Sequence, residues 1–308
     1  MDIFKIKSHI EFFECLVAKF IIEGTEGFVQ IDTSNCEFIT KPYLVFYPGD
    51  EFLNSSSKQF NPTDFFDQIT WSYNSIESNL SSDFVYMFMK IFSNESIYTI
   101  LESKLLSNSP VYIPVYLFFY SELLYVQNQN ISWNIKGIKN CEKVELVYDS
   151  VKTFANSIDL DKLYPKNKIQ IEKFALYNYN IQESIQIPIK DKLQCVFWFY
   201  SNAESKYFHP VESIGIECIC GSKSRIIVDK RFPQYYNYIQ QVQNYSSTYG
   251  ELYSYSFVSN PMTFNVDQYL SPSIQDIWLK QQMKNTFEPN PNSKQILCIK
   301  SLYEINLT

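Results

Sequence analysis

Residues Leu193–Tyr200 read LQCVFWFY, and only Gln194 in this block is polar. If the block is extended, Leu193, Cys195, Phe197 and Phe199 fall on one face and Val196 and Trp198 on the other. A strand that is apolar on both faces has to be covered on both. That requirement asks for at least two further layers of protein around one short segment, which a hairpin exposed to water cannot supply. A second block, Glu251–Val258 (ELYSYSFV), sets Tyr253, Tyr255 and Phe257 against Ser254 and Ser256. This alternation predicts a half-exposed strand at the skin of a sandwich. Pro188 ahead of the first block and Pro261 behind the second punctuate the region.

The 308 residues suit two domains of roughly 150 residues each. Apolar residues make up 45% of the chain and charged residues 19%, the balance of a globular protein. No run approaches the about 18 apolar residues that a membrane-spanning helix needs. The opening MDIFKIKSHIEFFE has no basic start leading into a long apolar run, so no secretory signal is expected and the chain is read as intracellular. Seven cysteines, an odd number, fit reduced thiols used as small apolar side chains. The net charge of −7 and the lack of any Lys/Arg cluster argue against direct nucleic-acid binding, which relies on neutralising phosphates. Aromatic residues reach 17%, which favours sheets.

Along the chain, Ile10–Ile22 fits either a helical face or a pair of buried strands. Strands are predicted at Phe28–Ile31 and at Tyr43–Tyr47 between Pro42 and Pro48, and Asp64 is predicted to cap a helix running through Leu80 with Phe65, Ile69 and Tyr73 on one side. A strand is expected around Val85–Phe92 and a short amphipathic helix over Glu95–Leu106. Pro114, inside the apolar run Pro110–Tyr120, marks an edge strand or a bulge. Leu123–Val126, Ile131–Lys136 and Val144–Tyr148 continue the strands, and the polar stretch Asp149–Leu163 is read as a crossover between domains. A second series opens with Ile169–Tyr179 and Ile185–Ile189, then the LQCVFWFY block. Ile214–Cys220, Arg225–Val228, the ELYSYSFV block and Ile296–Leu302 complete it. About six to eight short strands per half, with a few short helices in the loops, predict a mainly β protein made of two consecutive β-sandwiches, residues 1–160 and 161–308.

The second half resembles the second jelly roll of the double jelly-roll major capsid proteins of double-stranded DNA viruses: the nucleocytoplasmic large DNA virus, virophage and Polinton-like lineage. The residues that carry the resemblance are Pro188 with Leu193–Trp198, the segment Ile214–Arg225 (IGIECICGSKSR) and Gly250–Pro261 (GELYSYSFVSNP). Val111–Phe119, Val144–Ala155 and the closing Tyr303-Glu304-Ile305 are similar to the family in outline. After Pro261 the chain departs from it, with neither a Pro-Ser-Gly stretch nor a Phe-Ser-Arg segment. The resemblance implies a double jelly roll that trimerises into pseudo-hexagonal capsomers and tiles an icosahedral shell. Its implied partners are further copies of itself, neighbouring capsomers, and penton and minor capsid proteins. It also implies a place in the virion, assembly in the host cytoplasm and an internal membrane nearby. A minor capsid, penton or scaffold protein and a lectin-like binding module are the alternatives.

Little in the residues points to catalysis, and no catalytic, cofactor-binding or metal-ligating residue is predicted. The two histidines, His9 and His209, stand alone, His209 in a YFHP loop. No GxSxG, HExxH, P-loop or Rossmann glycine pattern occurs. Cys218 and Cys220 share a strand face without a second ligand pair and are read as core. The acid pairs Asp159/Asp161 and Glu212/Glu217 are read as solvated surface rather than as a glycosidase dyad.

Overall fold

Alternation becomes strands almost everywhere in the computed structural model, which describes residues 10–34, 36–53, 61–92, 110–115, 124–153, 168–202, 207–242, 251–259, 269–288 and 290–306. The chain forms two compact units: Met1–Tyr86 with Glu95–Lys173 and Glu304–Thr308, and Met87–Asn94 with Phe174–Tyr303. The predicted helix over Glu95–Leu106 and most of the polar crossover lie outside the described residues.

The first series of strands is β1 (Ile10–Lys19), β2 (Ile21–Glu23), β3 (Glu26–Gln30), β4 (Phe38–Pro48), β5 (Gln68–Tyr73), β6 (Ile76–Ser81), β7 (Val111–Ile113), β8 (Leu124–Tyr125), β9 (Ile131–Lys136) and β10 (Cys141–Thr153). They build one sheet in the order β1-β10-β4-β7, with β8 also on β4, and another in the order β2-β3-β9-β5-β6. The second series is β11 (Lys168–Asn180), β12 (Ser184–Ile187), β13 (Lys192–Ser201), β14 (Val211–Cys220), β15 (Lys223–Arg231), β16 (Tyr253–Ser256), β17 (Ile274–Met283) and β18 (Lys294–Asn306). Its sheets run β11-β18-β13-β16 and β12-β17-β14-β15. Each series thus pairs its first strand with its last and its last with an early strand, β4 in one and β13 in the other, within one sheet. In the other, the strand before the last lies between an early and a middle strand. That order, met twice, is the jelly roll.

Inward positions follow the pleat. On β5 Ile69, Trp71 and Tyr73 are buried while Gln68, Thr70 and Ser72 are partly exposed, and β9 does the same with Ile131, Trp133 and Ile135. Phe46 of β4 stacks on Phe66 at 5.5 Å between ring centroids and lies against Phe65 at 5.6 Å. In the second unit Trp198 stacks on Tyr253 at 5.8 Å and meets Tyr236 edge-on at 5.1 Å. Each fully buried aromatic of this kind contributes about 1.5–3 kcal/mol of transfer free energy.

Turns show how a chain with seven glycines manages its reversals. Gly24, Gly137 and Gly221 have positive φ, and Asn74, Asn128 and Asn140 take the same left-handed region. Asparagine tolerates that region better than other L-residues do. Gly137 is irreplaceable on space as well, because a Cβ there would sit 2.1 Å from Asp67 Oδ2. Lys41 is also left-handed, at φ 49, and the β10 register slips opposite it, between Val147 and Asp149. This bulge lets β4 run through Pro42, which has no N–H to give to a ladder.

Several expectations are corrected. Residues 64–80 form no helix: after a 3-10 turn at Pro62–Asp64 they make the β5–β6 hairpin, with Tyr73 paired to Ile76 across Asn74-Ser75. Phe65, Ile69 and Tyr73 match a helical stripe, but Ile69, Trp71 and Tyr73 match a pleat equally well, and left-handed Asn74 turns the chain. The expected strand at Val85–Phe92 is a helix, Ser82–Phe92. Its N-terminus is capped by Ser81 Oγ, which accepts from Phe84 N at 3.2 Å, and Phe84, Val85, Met87, Phe88 and Met89 are all buried. These five form one broad apolar face that has to be enclosed, while Asp83 and Tyr86 on the other side are half-exposed. Ser254 and Ser256 of β16 are not solvent-facing but buried; Ser256 Oγ donates to Val258 O at 2.9 Å and accepts from Val258 N at 3.1 Å. Ile10–Ile22, which fitted either period, is the strand pair β1–β2. Strand β17 and the helix Pro233–Val242 had no counterpart among the predicted elements.

Candidate functional site

The candidate features of the second unit gather around the helix Pro233–Val242. Proline at its first position supplies the fixed φ of a helix start. Tyr236 and Gln240, one turn apart, face inward and are fully buried. Tyr236 Oη donates to Ile214 O at 3.0 Å, and the Gln240 side chain donates to Leu252 O. Burial pushes the Tyr236 phenol well above its usual range, so it stays a donor. On the opposite side Phe232, Tyr238 and Val242 are 68%, 61% and 55% exposed. The helix is therefore anchored by the Tyr236 and Gln240 side chains, with Tyr235 packed partly against the core, and leaves Tyr238 and Val242 open to solvent.

Beside the start of this helix lies a pocket of about 370 Å³ lined by His209, Val211, Glu212, Phe232, Pro233, Gln234, Asn237, Tyr253 and Lys284. His209 Nδ1 is hydrogen-bonded to Tyr253 Oη, and the rings meet edge-on at 5.8 Å. Burial lowers the His209 pKa below the ordinary imidazole range, with Glu251 opposing and Lys284 adding to that shift, and burial raises that of Tyr253. A neutral imidazole accepting from a protonated phenol fits both directions. Asn237 Oδ1 is buried at this pocket without a hydrogen-bond partner.

Of the residues weighed for chemistry, the fold places His209 and Glu212 in this pocket. His9, Asp159 and Asp161 lie outside the described residues. Cys218 is buried and Cys220 half-buried on β14; burial raises the Cys218 pKa, the direction of an inert thiol. Glu212 and Glu217 are separated by five residues of β14, on the order of 16 Å of extended chain, farther than a glycosidase pair stands apart. Glu212 instead accepts from Gln282 Nε2 at 3.0 Å. Among the described residues no group of three or more His, Cys, Asp or Glu side chains stands close enough to hold a metal ion. No helix among them is long and apolar enough to cross a membrane.

In the first unit the outward face of the sheet β1-β10-β4-β7 carries a row in register, Val17 opposite Val147 and Val147 opposite Tyr43. Val17 is 55% exposed, and Cys15 and Lys19 beside it on β1 are exposed too. One step along the sheet is a polar cluster. Tyr47 Oη donates to Glu145 Oε2 at 2.7 Å, and Lys143 Nζ lies 2.5 Å from Glu145 Oε1 and 4.5 Å from the Tyr47 ring centroid. Burial works against the Glu145 charge, but the bonds from Lys143 and Tyr47 outweigh it and hold the carboxyl below its ordinary pKa. The same bond pushes the Tyr47 phenol up to about 12. Exposed Ile21 and Phe28 form a cross-strand pair on β2 and β3.

No family's sequence profile matches this chain, and no curated protein does. Solved structures do. The Faustovirus major capsid protein superposes with a TM-score of 0.66 at 6% identity, over 96% of this chain and 90% of that one. The major capsid protein of STIV gives 0.54 at 10% identity, over 94% and 96% of the two chains. The fold is the double jelly roll of viral major capsid proteins. A second structure, of Sulfolobus Turreted Icosahedral Virus, gives 0.53 at 11% identity over 95% of this chain and 90% of that one. At such identities the likeness lies in the double jelly roll itself, not in any shared residue. Sequence reading found the two rolls but missed the exposed helix face, whose signal was Phe232-Pro233 followed by Tyr238 and Val242 at helical spacing.

Proposed function

We propose that this chain is a structural subunit of a virus shell, three copies closing into a pseudo-hexagonal capsomer. The observation that carries the reading is the repeated strand order: two jelly rolls in one chain give each subunit two similar wedges, so that a threefold ring offers six. The match of about nine-tenths or more of both chains to solved major capsid proteins supports it. On this reading residues 1–160 and 161–308 are the two wedges, and the partners are other copies, neighbouring capsomers, and penton and minor capsid proteins. The protein belongs in the virion, is assembled in the host cytoplasm and has no enzymatic task. The work is done by apolar surface removed from water between subunits, on the order of 2,000 Å² or more for an obligate contact. Light scattering on the purified protein is expected to give three times the monomer mass, and electron microscopy hexagonal particles. A monomer at every concentration overturns the proposal, and saccharide affinity in that monomer favours a binding module.

A further inference from the structure

We infer that the helix Pro233–Val242 of one copy docks on the outward face of the β1-β10-β4-β7 sheet of a second copy. This rests on the trimer reading and names the surfaces that make it. Each roll places a helix between the strand that ends one sheet (β6, β15) and the next edge strand of the other (β7, β16). The two helices therefore hold equivalent places in a repeat, yet their surroundings differ.

The second half of the helix Ser82–Phe92 belongs to the second unit. There Phe88 meets Phe174 of β11 at 5.8 Å and Phe197 of β13 at 5.5 Å, both edge-on. Phe197 alternates with the core residues Val196 and Trp198, so it points out of the sandwich. The outward side of the sheet β11-β18-β13-β16 is thus covered, and Cys195, Phe197, Phe199 and Cys298 on it are buried. The equivalent sheet of the first unit has its outward β1 positions, Cys15, Val17 and Lys19, open to solvent. The equivalent helix of the second unit has Tyr238 and Val242 open as well. One copy therefore holds a satisfied helix-and-sheet pair, plus one helix and the open β1 edge of a sheet, whose outward face is closed farther in at Glu145 and Val45.

The leftover surfaces suit each other. The helix PQYYNYIQQV carries no charged side chain, so docking it strips no ion of water. Of the charges beside the Val17–Val147–Tyr43 row, Lys143 and Glu145 pair within the sheet and bond to Tyr47, Asp149 lies 3.8 Å from Lys41, and Lys19 is exposed at the β1 edge. Because helix and sheet are different surfaces, the contact is head-to-tail, and a head-to-tail contact closes into a ring when its rotation allows.

The test uses the full chain. Tyr238→Glu and Val17→Glu each change an exposed side chain, with Val242→Glu as a second helix variant. Wild type is expected to be a trimer by light scattering, and each variant is expected to fall to one-third of that mass with an unchanged melting temperature. Mixing Y238E with V17E is expected to give a one-to-one dimer, since each retains the surface the other lacks. If wild type is trimeric while both helix variants stay trimeric, or if the mixture stays monomeric, the docking is overturned and the trimer stands. A monomeric wild type removes the trimer reading itself, a result read without any variant.

Discussion

The two rolls of this chain share one strand order and differ in what they do with the helix that follows β6 or β15. The first helix, SDFVYMFMKIF, buries a broad apolar face, Phe84, Val85, Met87, Phe88 and Met89, and leaves Asp83 and Tyr86 half-exposed. The second, PQYYNYIQQV, is fixed by the polar anchors Tyr236 and Gln240, and its outward aromatic and aliphatic side chains meet water. The same position in a repeated fold thus serves internal stability in one roll and presents a surface in the other. Both helices are rich in aromatics, but the first adds valine, methionine and isoleucine and the second chiefly glutamine and asparagine, so residue type and exposure separate them together.

The widest test of this contrast is a pair of truncations. Phe88→Ala is expected to cost about 3–5 kcal/mol in urea unfolding, because it empties an enclosed site. Tyr238→Ala should leave the stability of the isolated chain within about 0.5 kcal/mol. Equal costs would break the comparison. A smaller effect is expected at the turns. Gly137→Ala should cost about 1–3 kcal/mol from backbone strain and collision with Asp67, whereas Gly221→Ala, also at positive φ but with nothing within 4 Å, should stay nearer about 1 kcal/mol. Thermal melts of the two variants rank them. Tyr236→Phe removes the bond to Ile214 O and is expected to cost about 1 kcal/mol; no change would mean that the second helix is not held by its polar anchors.

The smallest expected effect is one of pH. Burial lowers the His209 pKa, so the unfolded chain takes up a proton near pH 6.5 while the folded protein takes it up only at lower pH. Between those two values the unfolded state binds more protons, and stability falls as pH falls. His209 contributes its full share above about pH 6.5 and loses it in acid. Melting temperatures from pH 7.5 down to 5.5 should decline for wild type and decline less for His209→Gln. A parallel decline would place the acid sensitivity elsewhere.

Strands were legible wherever polar and apolar residues alternate, as in β9, or where an apolar run is too short for a helix, as in β13. Turns were legible where glycine, asparagine or proline breaks the pattern. The fold class followed from these, because strands that are apolar on both faces admit few architectures. Periodicity fell silent in two places. In residues 82–92 the helical period rests on only Asp83, Tyr86 and Lys90 within an apolar run, a faint mark, and in residues 64–80 the same aromatics fit both. There the choice belongs to the partners: a strand needs a neighbour to bond with, and a helix with a broad apolar face needs that face covered, neither of which is written locally. The burial of Ser254 and Ser256 and the exposure of Tyr238 and Val242 were likewise decided by what packs against them. Sequence by itself determined which segments are extended and how many layers they need. Only the tertiary structure decided which apolar surface is satisfied within the chain and which is left open, because burial belongs to pairs of surfaces rather than to single residues.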